Sequence, residues 1–114
     1  MLKGIDTNEI VEFVSASDKE ENKTKFCIGN ITNRDKLRIF TDAMNSDGSM
    51  NQDKLQSKTF DILKAGIKKI VNLGGKDYDK ITDEVLNLIP FTAIVELTGE
   101  VLKVNFLGEA EVKN

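Results

Sequence analysis

"DKLQSKTFDILKAGIKKIVNLGGKDYD", residues 53–79, decides the fold, because its apolar spacing and the paired glycines that follow set how much of the chain is helix. Phe60, Leu63, Ile67 and Ile70 recur at intervals of three and four residues. That is the period of a single helix face, so the spacing predicts an amphipathic helix from about Asp53 to Leu73. Gly74 and Gly75 then stop it, as paired glycines do at a helix C-terminus.

Upstream lies "MNSDGSMNQDKL", residues 44–55, whose Asn, Asp, Ser and Gly suit a tight polar turn between helices. Before it, "RDKLRIFTDAM" sets Leu37, Phe40 and Met44 on one face, and Thr32 or Asn33 can cap it, which predicts a helix over 33–45. Further back, "EIVEFVSAS" (residues 9–17) and "TKFCIGNI" (residues 24–31) are rich in β-branched and aromatic residues around the charged "DKEENK". They read as a β-hairpin over about 9–31. A lone hairpin is marginal in water, so its apolar face must lie on the helices or its edge must add to another chain's sheet.

Downstream, Thr82 precedes Asp83 and Glu84 as an N-cap with acids in the first turn, predicting a short helix over 82–88. Pro90 suits the first turn of a new helix over 90–106, in which Phe91, Ile94, Val95, Thr98, Val101, Leu102 and Phe106 follow helical spacing. Gly99 weakens that helix and marks a close helix contact. "LGEAEVKN", residues 107–114, reads as a polar tail. The expectation is therefore an α+β fold in a single domain spanning residues 1–114. It has an N-terminal β-hairpin followed by a bundle of about four α-helices.

Composition narrows the function. The chain has 114 residues, a formal charge of −3, 39% hydrophobic and 31% charged residues. Acids and bases are mixed, and no clustered positive field exists to hold a nucleic-acid backbone. No stretch of 18 apolar residues offers a membrane span, and the first residues lack the apolar core of a signal peptide, so the chain reads as a soluble cytoplasmic product. The single cysteine, Cys27, permits no internal disulfide and reads as a small buried strand residue.

Histidine is absent, which removes Ser-His-Asp and Cys-His catalysis and histidine metal sites together. The "GGK" of residues 74–76 is not a phosphate loop, because Ile70 and Asp77 stand where glycine and Ser or Thr are needed. The loop at 44–55 invites a calcium reading. With Gly48 at the sixth position of an EF-hand loop, Asn45 and Asp47 fall at the third and fifth. Ala43 then occupies the first position and Lys54 the last, so the first ligand and the bidentate glutamate are both missing. No enzyme activity, metal or cofactor is expected.

"YDKITDEVLNLIPFTAIVELTGEVLKVNFLGEAEVKN", together with the preceding "DILKAGIKKIVNLGGKDYDKI", resembles small accessory proteins of tailed bacteriophages and phage-derived tails, including tail-assembly chaperones, over residues 60–114. The resemblance implies a non-enzymatic structural or assembly protein that binds other phage structural or assembly proteins and self-associates. It would act in the bacterial host cytoplasm during assembly, or as a subunit of the virion. A chaperone of this kind coats the tape-measure protein, whereas a virion subunit contacts capsid, neck or tail proteins. Either would use an apolar helix face or the hairpin edge, stabilised by about 25 cal/mol per Å² of buried apolar area. The candidate contact residues are Phe106 and Leu107 where the last helix meets the tail, and Val11 and Phe13 on the hairpin edge. The alternative is a phage-encoded inhibitor of a host defence enzyme, an anti-CRISPR or other anti-defence protein, presenting carboxylates such as those of "DKEEN" to a nucleic-acid groove.

Overall fold

Residues 1–6 and 8–106 are described by the computed structural model. In chain order they form β1 (Ile10–Phe13), β2 (Lys25–Gly29), α1 (Asn33–Phe40), a 3-10 turn (Thr41–Ala43), α2 (Gln52–Ser57), α3 (Thr59–Gly66), β3 (Ile67–Leu73), β4 (Lys76–Tyr78), α4 (Asp83–Leu86) and α5 (Phe91–Phe106). The strands make one antiparallel sheet in the order β1-β2-β3-β4.

This corrects the expected N-terminal hairpin followed by a four-helix bundle. The sheet has four strands rather than two, and its second half comes from the middle of the chain. The stretch read as one helix over 53–73 is α2, α3 and then β3.

Two features mark the change at Gly66. A Cβ on Gly66 would overlap Val101 Cγ1 and stand 3.1 Å from Cγ2, so α3 ends where α5 presses directly on its backbone. From Ile67 (φ −85°, ψ 120°) the chain is extended and pairs with the free edge of β2. Ile67 lies opposite Ile28 and Lys69 opposite Cys27, which leaves Lys68 as an extra residue in a β-bulge. The bulge is why a spacing of three, from Ile67 to Ile70, puts both isoleucines on the same buried face of a strand. Gly74 (φ 60°) and Gly75 (φ 85°) form the two-residue turn into β4, both in the left-handed region that such a hairpin requires.

The helices cover one face of the sheet. Phe26 and Ile28 of β2 and Ile67 and Ile70 of β3 are buried there, against Ile39 and Phe40 of α1, Ile62 and Leu63 of α3, Leu86 of α4 and Leu97 and Val101 of α5. Each such side chain contributes about 1.5–3 kcal/mol on burial. Ile67 and Ile70 alone thus supply a large driving force for β3 to join the sheet. The opposite face carries Glu12, Lys25, Cys27 and Lys69 and meets solvent. Cys27 is half-buried on that face, between Glu12 and Lys69, and not in the core.

Local capping accounts for the helix starts. Thr32 accepts a hydrogen bond from the Asp35 amide, Asn51 from the Lys54 amide and Thr82 from the Val85 amide, each satisfying a first-turn N–H.

Candidate protein-binding surfaces

β1 is an edge strand with β2 as its one sheet neighbour among the described residues. It is short, and its apolar residues are poorly covered. Ile10 and Val11 are exposed, as is Val14 just beyond the strand, while Phe13 lies opposite Phe26 and packs on the core. Val11, opposite Ile28, sits at the rim of the core with 37% of its surface open. Of the two hairpin candidates, then, Phe13 packs on the core and Val11, on the same side of the strand, stays partly open at its rim.

The far end of β1 is fixed by α5. Glu96 accepts a hydrogen bond from the Ser15 hydroxyl at 2.5 Å through Oε1 and from the Ala16 amide at 3.0 Å through Oε2. Ser15, the one buried polar residue among those described, also meets the Ser17 hydroxyl. The Ser15 hydroxyl, and after it the Ala16 amide, hold the Glu96 carboxyl below its ordinary pKa. The charged loop beyond is closed on itself: Asp18 accepts from the Thr24 and Glu20 amides, which lower its pKa. That carboxylate of the "DKEEN" cluster is therefore engaged within its own loop.

Phe106 ends α5 against α1. Its ring meets Phe40 edge-on at 4.4 Å between centroids, and the Lys36 ammonium lies 5.1 Å from its centroid. Lys36 also donates to the Asn105 carbonyl, and burial pushes its pKa down. Phe106 thus packs within the chain on one side and keeps 40% of its surface exposed. Leu107 lies outside the described residues. The neighbouring Asn105 locks the helix end to β2: its Oδ1 accepts from the Ile31 amide at 2.6 Å, and its Nδ2 donates to the Gly29 and Val101 carbonyls.

The larger apolar surface is elsewhere on α5. Phe91 is 80% exposed and Val95 56%, and with Leu102 they line a groove flanked by Gln56 and Thr59. Phe91, Val95 and Leu102 belong to the helical pattern legible in the sequence, but none of the three is among the contact residues expected from it. A signal was available: a helix with apolar residues at 91, 94, 95, 97, 101, 102, 104 and 106 carries more than one face can bury.

The loop at residues 44–51 forms a self-bonded turn. Met44 and Met50 make an antiparallel bridge, and the Asn45 amide donates to the Ser49 carbonyl. The Ser49 hydroxyl and amide both donate to Asp47 Oδ1, the hydroxyl bond most strongly lowering the Asp47 pKa. The oxygens that suggested a calcium loop are thus held by the turn itself. Among the described residues no group of three or more Cys, Asp or Glu side chains is placed to hold a metal ion, and no helix is long and apolar enough to cross a membrane.

Comparison of the chain with protein-family models, with curated proteins and with solved structures returned no match.

Proposed function

We propose that this chain acts by binding another protein and performs no reaction of its own. It is a structural or assembly protein of a tailed phage or phage-derived particle, a tail-assembly chaperone or an accessory virion subunit. The observation that carries the reading is the open edge of β1, where Ile10, Val11 and Val14 expose apolar surface beside strand backbone that has no sheet neighbour on its outer side among the described residues. Such an edge accepts an extended segment of a partner, whose backbone continues the ladder while its side chains cover the apolar ones. The Glu96 clamp on Ser15 and Ala16 holds the edge in place before a partner arrives, which lowers the ordering cost of binding. The resemblance of residues 60–114 to phage accessory proteins supplies the partner class: the tape-measure protein or a tail subunit, met in the bacterial host cytoplasm during assembly.

The test is co-expression of the chain with tape-measure and tube proteins of tailed phages, followed by affinity measurement on any complex. Val11→Lys and Ile10→Lys should each weaken the complex by about tenfold or more, equivalent to about 1.4 kcal/mol, with the circular dichroism melt unchanged. Binding that survives both substitutions would remove the edge from the interface. A complex with a host enzyme instead, lost steeply as salt rises, would favour inhibition by charge mimicry.

A further inference from the structure

The edge of β1 carries charge as well as strand backbone. From Asp6 to Phe13 the chain has three acids, Asp6, Glu9 and Glu12, and no base. This short stretch therefore holds a formal charge of −3, as much as the whole chain.

Elsewhere on the sheet the bases are engaged by the fold. Lys69 pairs with Asp79 at 3.8 Å, and Lys68 lays its stem against Gly29 and donates to the Ala65 carbonyl at 2.7 Å. The acids of the β1 edge have no such partner. Glu12 lies on the open face of the sheet opposite Cys27, which brings no cation, and neither Glu12 nor Glu9 enters an ion pair among the described residues.

On the other face of the strand, α5 adds to the same field. The helix is fixed at both ends of the β1–β2 pair: Glu96 holds Ser15 and Ala16 just past Phe13, and Asn105 donates to the carbonyl of Gly29, the residue opposite Ile10. Glu100 stands between these two anchors, one turn from Glu96 on the same side of the helix. It is half-buried and likewise in no ion pair among the described residues. Lys103, further along that side, is the one base α5 places there.

These charges select what can lie on the edge. A strand added to β1 sets one residue directly opposite each of its own, with Cβ atoms about 4.5–5.5 Å apart and side chains alternating between the two faces. The place opposite Val11 lies at the rim of the core and favours an apolar residue. The place opposite Glu12 favours Lys or Arg, since an acid there would make a like-charge pair. A second copy of β1 is disfavoured for the same reason, because it would bring its own acids against these.

Taking that edge as the binding site, as proposed above, we infer that it selects a basic, amphipathic extended segment of a partner protein. Lys or Arg stands opposite Glu12 and an apolar residue opposite Val11, and Glu100 adds attraction from the α5 side.

Fluorescence anisotropy of labelled octapeptides titrated with the full chain tests this. Three probes alternate Val with Lys, Val with Ser or Val with Glu, and a fourth is the Val-Lys peptide with every backbone amide N-methylated, so that it has no N–H to give to the ladder. At about 50 mM salt the Val-Lys peptide should bind about fivefold more tightly than Val-Ser, with Val-Glu weakest, and the N-methylated peptide should lose at least about tenfold. Salt at about 500 mM should narrow the spread among the first three without abolishing binding. Glu12→Lys, at an exposed position, should reverse the order of Val-Lys and Val-Glu with the melting temperature unchanged, and Glu100→Gln should weaken Val-Lys about threefold. Equal binding of the first three peptides, lost on N-methylation, leaves the edge as a binding site and overturns the charge selection. A preference for Val-Lys that survives N-methylation or Glu12→Lys places the attraction elsewhere on the surface and also overturns it. Failure of all four peptides to bind at about 1 mM overturns the edge and its selectivity together.

Discussion

Replacing Gly66 with alanine tests the step on which the fold depends. If residues 53–73 were one surface helix, the substitution would raise helix propensity and stabilise the protein by about 1 kcal/mol. In the structure the new methyl group overlaps Val101 Cγ1, with Cγ2 at 3.1 Å and Cβ at 3.3 Å, and Val101 is fully buried. Overpacking a filled core costs about 1–3 kcal/mol. Offset by the propensity gain, the net destabilisation of Gly66→Ala should be about 0–2 kcal/mol. Gly66→Val adds two more carbons at the same place and should lie above that range. Val101→Ala removes two buried methyl groups, worth about 0.8 kcal/mol each plus the cavity left behind, so about 2–3 kcal/mol in all. The double variant relieves its own clash and should be at least about 1 kcal/mol more stable than the sum of the single effects. Urea unfolding followed by circular dichroism, with unchanged m-values, gives all four corners of the cycle. A stabilising Gly66→Ala with no coupling to Val101→Ala would show that α5 does not bear on this glycine, and the helix-to-strand junction as described would fall.

Three further outcomes follow from particular contacts. Asn105→Ala strands the buried Ile31 amide and should cost about 1–3 kcal/mol in urea unfolding, whereas a loss under 0.5 kcal/mol would mean the α5–β2 lock contributes little. The Glu96 carboxyl is held below its ordinary pKa in the native state, so its contribution is present above the unfolded-state value and lost as pH falls through the lower native one. The melting temperature of the parent should therefore exceed that of Glu96→Gln at neutral pH and converge on it in acid; a gap that persists unchanged in acid contradicts the clamp. Calcium at about 1 mM should leave the melting temperature where it was, since Ser49 already occupies Asp47, and an upward shift would restore the metal reading.

Legibility in the sequence followed the range of the interactions. Elements specified by adjacent residues could be read directly: Thr32 and Thr82 as caps, the alternation of Phe26 and Ile28 in β2, the polar turn at 44–51 and the start of α5 after Pro90. The residues at 67–73 could not be read this way, because the three-residue step from Ile67 to Ile70 fits a helix face and a bulged strand equally well. Which face of α5 is free was equally hidden. Periodicity shows that a side chain shares a stripe with others, but it does not show whether a neighbour covers that stripe.

The sequence by itself determined that the chain has a hairpin-forming N-terminal region, capped helices, a polar central turn and no histidine chemistry, since each depends on residue type and spacing within a few positions. Tertiary structure alone decided that the middle of the chain supplies two more strands. Val101, 35 residues beyond Gly66, packs directly against that glycine, and the edge of β2, nearly 40 residues before β3, offers the hydrogen bonds that an extended chain needs. The same long-range packing buries Leu97 and Val101 while leaving Phe91 and Val95 open, and so decides which side of α5 stays exposed.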